Sequence, residues 1–191
     1  MATRADKGKG MKARRERLFR GVLPIVRPAQ DADAAWMWTS HFMNSDDPDD
    51  SEEKRAAFYE RLSEHLEAYQ RVWMIEDKHP RFRGGFGPVG FAAGATNDWM
   101  LEPHIGWFSW STRANRLRGV VGFLMAQRAD PSLGCLLIRS DDEHRAFFEA
   151  IKRYAPVYRV GRIPGGRSYG NDHLFYMRGR RRYEKRESGH V

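Results

Sequence analysis

The chain has 191 residues, 41% hydrophobic and 13% aromatic, with 33 Lys and Arg against 25 Asp and Glu and a formal net charge of +8. That length fits one domain with a real core, and the apolar content excludes disorder over the whole chain. A single cysteine excludes an intrachain disulfide, and no apolar run approaches the ~20 residues of a membrane span.

The basic N-terminus lacks the apolar stretch of a signal peptide, so the expectation is a soluble, cytoplasmic protein. The charge is unevenly placed. Residues 1–20 carry a net +6 and residues 178–191 a net +4, which leaves residues 21–177 at −2. The chain therefore divides into a basic N-terminal tail (1–20), a folded body (21–178) and a basic C-terminal tail (179–191). Such tails are either solvated, disordered ends or non-specific contacts to nucleic acid.

In chain order, residues 22–27 form a short apolar run broken by Pro24, an edge strand. Pro28 and Asp31 then open a helix over 31–43, with Ala35, Trp38 and Phe42 at helical spacing. The acidic stretch 44–50 reads as a solvated loop; it lacks the ligand alternation and glycine of a calcium loop, and no metal site is expected. Residues 52–70 carry an apolar stripe of Phe58, Leu62, Leu66 and Tyr69, with His65 at its boundary. Strands follow at 71–76, 89–96 and 103–111, the last two joined by an Asn97-Asp98 turn and so antiparallel. A helix spans 112–128. The continuous apolar run 133–139 is a buried strand, in which Cys135 is an inert thiol. An amphipathic helix over 142–154 and strands at 157–163 and 173–178 complete the chain. This alternation gives a mixed α+β domain, one sheet with helices on both faces.

The segment Ser109 to Gly122 carries the chemistry. A strand runs into a basic turn with Arg113, Arg116 and Arg118 and then into a helix containing Gly119 and Gly122. Helix N-terminal amides suit an anionic phosphate, and glycines there let backbone approach it; the alternative is an ordinary junction with glycines for packing.

The element order and this motif resemble the GNAT superfamily of acyl-CoA-dependent N-acyltransferases, over roughly residues 22–178. Arg116-Leu117-Arg118-Gly119-Val120-Val121 is similar to the family's R/Q-x-x-G-x-G/A signature, with Val121 where Gly or Ala is usual and Gly122 one residue later. The resemblance implies a mostly antiparallel, twisted central sheet and acetyl-CoA as co-substrate. It places the diphosphate on the backbone of Arg116, Leu117, Arg118, Gly119, Val120, Val121 and Gly122. The pantetheine arm would lie along Ser109, Trp110 and Ser111. It also implies an amine acceptor and a general base on the fourth strand, where Glu102 and His104 alternate onto one face and Asp98 is a third candidate. The family's tyrosine acid would fall at Phe148, which has no proton to donate, and Tyr154 lies two turns beyond. A narrower likeness is to GNAT-like internal virion proteins of short-tailed phages, carried by residues 141–151 and by Leu174-Phe175-Tyr176. It implies a scaffold without catalysis, a virion component whose basic tails meet nucleic acid or protein.

Overall fold

A computed structural model describes residues 4–38, 51–57, 60, 71–79, 85–97, 99–167 and 170–179. The elements are helix α1 (Arg4–Phe19), strand β1 (Ile25–Pro28), a 3-10 turn (Asp31–Asp33) leading into helical residues 34–38, and helical residues 52–57. Then come β2 (Arg71–Lys78), β3 (Phe86–Asn97), β4 (Met100–Trp107), α2 (Arg113–Ala129), β5 (Cys135–Ser140), α3 (Arg145–Ile151), β6 (Val157–Arg167) and β7 (Gly170–Arg178). The acidic stretch 44–50, the stripe residues Phe58 to Tyr69, Asp98 and the C-terminal basic residues beyond Gly179 lie outside the described residues.

The seven strands form one sheet in the order β1-β2-β3-β4-β5-β7-β6. Every neighbouring pair is antiparallel except β4–β5, which is parallel. Alternation along each strand divides the side chains between two layers. On one face Trp73, Ile75, Ala92, Leu101, Leu136, Ile138, Phe175 and Met177 meet Val120, Val121, Phe123 and Leu124 of α2 and Ile151 of α3. On the other, Met74, Val72, Phe91 and Phe108 meet Trp36 and Met37. The expected mixed α+β sheet with helices on both faces is thus the observed one. Burial of each fully enclosed side chain, such as Leu101 or Phe175, contributes roughly 1.5–3 kcal/mol.

Two expectations are corrected. Residues 4–19 are not a disordered arm but the helix α1. Its C-terminal end is docked, with Phe19 buried and the carbonyls of Leu18 and Val22 accepting hydrogen bonds from Arg118 at 2.7 and 2.8 Å. The third central strand runs over Met100–Trp107, three residues earlier than 103–111. Asn97 pairs with Met100 in a tight hairpin, and Phe108 then turns into the second layer. Trp110 stacks on Phe108 at 4.8 Å and donates its indole N–H to the Pro88 carbonyl, while the Ser111 hydroxyl donates to that of Val89. Residues 108–112 are therefore a loop tied to β3.

Charge is used structurally at the β1 edge. Arg27 makes a two-pronged contact with Asp33 at 2.7 and 2.8 Å and reaches Glu76 at 2.7 Å. The Arg27 guanidinium holds the Asp33 carboxyl below its ordinary value, against the opposing effect of burial. A carboxyl depressed in the folded state adds stability above its unfolded pKa of about 3.9, and this is lost as pH falls through the folded value. Asp33→Asn should therefore lower the urea midpoint at pH 7, and the gap to wild type should close under strongly acidic conditions.

Candidate active site

Strands β4 and β5 pair only at Met100–Cys135 and Leu101–Leu136 and then separate. Their divergence opens a cleft of about 380 Å³. Its walls are Pro103 to Trp107 from β4, Ile138 to Ser140 from β5, Val120 from α2, and Asp141, His144, Phe147 and Phe148 at the start of α3. The Trp107 ring lies between Gly90 and Gly119, where an added Cβ would come within 2.6 and 3.0 Å of it respectively.

Of the two expected bases, His104 is exposed and lines this cleft. Glu102 is otherwise engaged. Its carboxylate meets Arg139 at 2.5 Å, so it clasps β4 to β5 at the point where their ladder ends. The two residues do share one face of β4, opposite Ala95 and Ala93 of β3.

The signature residues take positions different from those expected. Thr112 caps α2: its hydroxyl accepts from the Asn115 amide, and the Asn115 side chain accepts from the Thr112 amide. With the helix starting at Arg113, the amides of Leu117 to Gly122 are spent on intrahelical bonds and do not face a phosphate. Gly119 is there for close packing. A Cβ at that position would lie 2.9 Å from Ile75 and 3.0 Å from Trp107, and one at Gly122 would lie 3.2 Å from the Pro24 ring. Val120 and Val121 are buried and Leu117 is half-buried, so Val121 crowds nothing in the cleft. Arg118 is bonded to buried Asp77 at 2.8 and 2.9 Å. Trp110 and Ser111 are held by β3, as above. Ser109 in the loop and Arg116 in the first turn of α2 remain exposed, beside Arg113 and Ala114, whose amides head the helix. Gly119→Val should lift α2 from the sheet and cost about 1–3 kcal/mol of stability, read as a lowered denaturant midpoint.

Phe148 lines the cleft and packs on Phe147 and Phe175 at 5.6 and 5.4 Å, so the phenol position is apolar. Tyr154 lies outside the cleft. Cys135 is a buried thiol with its pKa pushed up by burial. Among the described residues no group of His, Cys, Asp and Glu is arranged to hold a metal ion. No helix among them is long and apolar enough to cross a membrane.

One pair was not anticipated from the sequence. Asp141 Oδ1 accepts from the His144 backbone N–H at 2.7 Å and from His144 Nδ1 at 2.8 Å. A carboxylate on Nδ1 fixes that nitrogen as the donor and leaves Nε2 as the imidazole's acceptor. The loop that carries the pair is anchored from behind. Asp142 contacts buried His173 of β7 at 2.6 Å, and Arg159 meets the other nitrogen of His173 at 3.0 Å. The signal in the sequence was a D-x-x-H spacing directly after an apolar strand.

No protein-family model and no curated protein matches the sequence. Solved structures do match. A chimeric spermidine N-acetyltransferase from Vibrio cholerae and hSSAT is 12% identical with a TM-score of 0.62, over 81% of this chain and 94% of that chain. The dodecameric spermidine N-acetyltransferase from Vibrio cholerae is 13% identical with a TM-score of 0.59, over 86% and 98%. A ribosomal L7/L12 alpha-N-protein acetyltransferase in complex with coenzyme A is 10% identical with a TM-score of 0.58, over 83% and 95%. The fold of this chain is that of the GNAT acetyltransferases.

Proposed function

We propose that this chain is an N-acyltransferase that moves an acetyl group from acetyl-CoA to a primary amine. The observation that carries the reading is the parallel, splayed β4–β5 pair with a histidine–aspartate pair on its rim. The residues present fit the co-substrate. The ladder between β4 and β5 ends at Leu101–Leu136, so the facing strand edges beyond it suit an extended amide-bearing arm. The first turn of α2, with the Arg113 and Ala114 amides and the exposed Arg116 guanidinium, suits its diphosphate, and exposed Ser109 lies in the loop just before it.

When bound, acetyl-CoA supplies the thioester carbonyl that the amine attacks. His144 Nε2 takes the proton that the amine must lose. Asp141 keeps the imidazole in the correct tautomer and stabilises its charged form. His104, across the cleft on β4, is a second proton acceptor for an amine entering from that side. Glu102 acts through its clasp with Arg139, holding the two strands at the apex rather than serving as the base. Phe147 and Phe148 keep that wall dry.

The test is release of free thiol from acetyl-CoA by the full chain, with spermidine, lysine and a peptide bearing a free N-terminal amine as acceptors. Release that depends on an amine supports the reading. Acetyl-CoA binding without release toward any amine contradicts it, and favours a second reading carried by Phe148. That reading is a GNAT-fold scaffold without catalysis, such as a virion component, whose basic segments 1–20 and 179–191 make salt-sensitive contacts to nucleic acid.

A further inference from the structure

A second cavity lies away from the cleft, between α1 and the end of α3. It measures about 610 Å³ and is lined by Arg14, Arg17, Leu18, Arg153 and Tyr154. None of these residues lines the cleft. Among the described residues, its wall thus carries three guanidiniums, a phenol and no carboxylate.

The arrangement is fixed by packing. Arg14, Arg17 and Leu18 lie on one face of α1, by their i, i+3 and i+4 spacing. Leu18 packs on the same core cluster as Tyr154, and its carbonyl is held by Arg118. Arg15 reaches the Met125 sulfur at 2.8 Å on the adjoining side of the helix. The end of α1 that carries Arg14 and Arg17 is therefore docked on the body.

Four arginines among the described residues are paired with carboxylates. Arg27 has Asp33 and Glu76, Arg71 has Asp130, Arg118 has Asp77 and Arg139 has Glu102. Among the described residues, the side chains of Arg14, Arg17 and Arg153 have no such partner. Three exposed cations that line one cavity, with no carboxylate partner among the described residues, repel one another through screening solvent, and an anion in the cavity would relieve that repulsion. The guanidinium fork matches phosphate oxygens with two parallel hydrogen bonds, and a tyrosine hydroxyl adds a neutral donor. The volume falls within the range of small-molecule sites, roughly 300–1,000 Å³.

We infer that the Arg14–Arg17–Arg153 cavity is a binding site for a small phosphorylated molecule of nucleotide size carrying two or more negative charges. This does not depend on acyl transfer. Two sources share the chemistry: a free nucleotide or oligophosphate, and the nucleotide end of a larger ligand such as CoA.

The experiment is calorimetric titration of the full chain with adenosine 3′,5′-bisphosphate and with inorganic pyrophosphate, in the presence and absence of CoA. The expected result is saturable binding that weakens at least tenfold in Arg14→Gln/Arg17→Gln/Arg153→Gln. Arg17→Lys should weaken it less than Arg17→Gln. Competition by CoA assigns the phosphate to a larger ligand, and binding that CoA leaves unchanged assigns it to a free one. Either outcome sustains the site. Equal binding by wild type and triple variant overturns it, as does binding of duplex DNA with no binding of either small phosphate. If the triple variant unfolds at a lower temperature, Arg153→Gln alone decides, because Arg153 is exposed and its side chain makes no hydrogen bond or ion pair among the described residues.

Discussion

Asp77→Ala is expected to lower the free energy of unfolding by about 3–5 kcal/mol, the cost of stripping one partner from a buried ion pair. Asp77 is fully buried at the end of β2, and its carboxylate receives both the Nε and Nη2 of Arg118 and the side-chain amide of Asn115. The same guanidinium donates to the carbonyls of Leu18 and Val22 and lies over the Phe19 ring at 5.6 Å. One cation thus joins β2, α2 and the chain leaving α1. Removing the aspartate leaves that cation buried without its counter-charge. Equilibrium urea denaturation reads the effect. Limited proteolysis should in addition cut within residues 4–22 sooner than in wild type, because the clip on α1 is weakened. The double variant Asp77→Leu/Arg118→Met should recover much of the loss at β2, since a well-packed apolar pair is often no worse than a buried ion pair.

His144→Gln should lower kcat by about 10²–10⁴-fold, the usual contribution of a positioned proton acceptor. Acetyl-CoA affinity should change little, since the imidazole is placed to handle the amine's proton and not the nucleotide. Asp141→Asn should also reduce kcat, because an amide oxygen holds the Nδ1 proton but carries no charge to stabilise the imidazolium. Both side chains are well exposed, so neither change should disturb folding. Thiol release under saturating amine, beside a thermal melt of each variant, separates lost chemistry from lost structure. If His144→Gln keeps wild-type kcat while His104→Gln loses it, the base lies on β4 instead.

Much of the fold was legible because apolar alternation and helical stripes report burial directly. The strands β2, β5 and β7 and helix α2 fall where the apolar runs place them. The β4 boundary was misplaced for a physical reason. The aromatic alternation continues through Trp107, Phe108 and Trp110, but Phe108 and Trp110 are pegs of a loop that fills the second layer. Helix α1 was hidden because its sequence is dominated by charge and, among the described residues, it offers only Leu18 and Phe19 to the core. What docks it are two backbone carbonyls meeting Arg118, which no side-chain pattern records.

The architecture around the candidate site is the expected one, and several of the expected site residues have other partners in the structure. The spacing Arg116 to Gly122 resembles a phosphate turn, yet the helix has already begun at Arg113. The glycines consequently face Ile75, Trp107 and Pro24. Glu102 and His104 reached the same face as anticipated, but Arg139, distant in sequence, claims the carboxylate. The Asp141–His144 pair was visible as a spacing. Its value depends on β4 and β5 diverging, and that is a property of the sheet.

The central claim is that the splayed β4–β5 cleft receives an acyl-CoA. Isothermal titration of the full chain with acetyl-CoA tests it most directly, with Arg113→Glu/Arg116→Glu as the comparison. Saturable one-to-one binding in wild type, weakened about tenfold or more when the charge at the first turn of α2 is reversed, is the predicted result. No binding at millimolar acetyl-CoA, or binding that the charge reversal leaves untouched, would contradict the account.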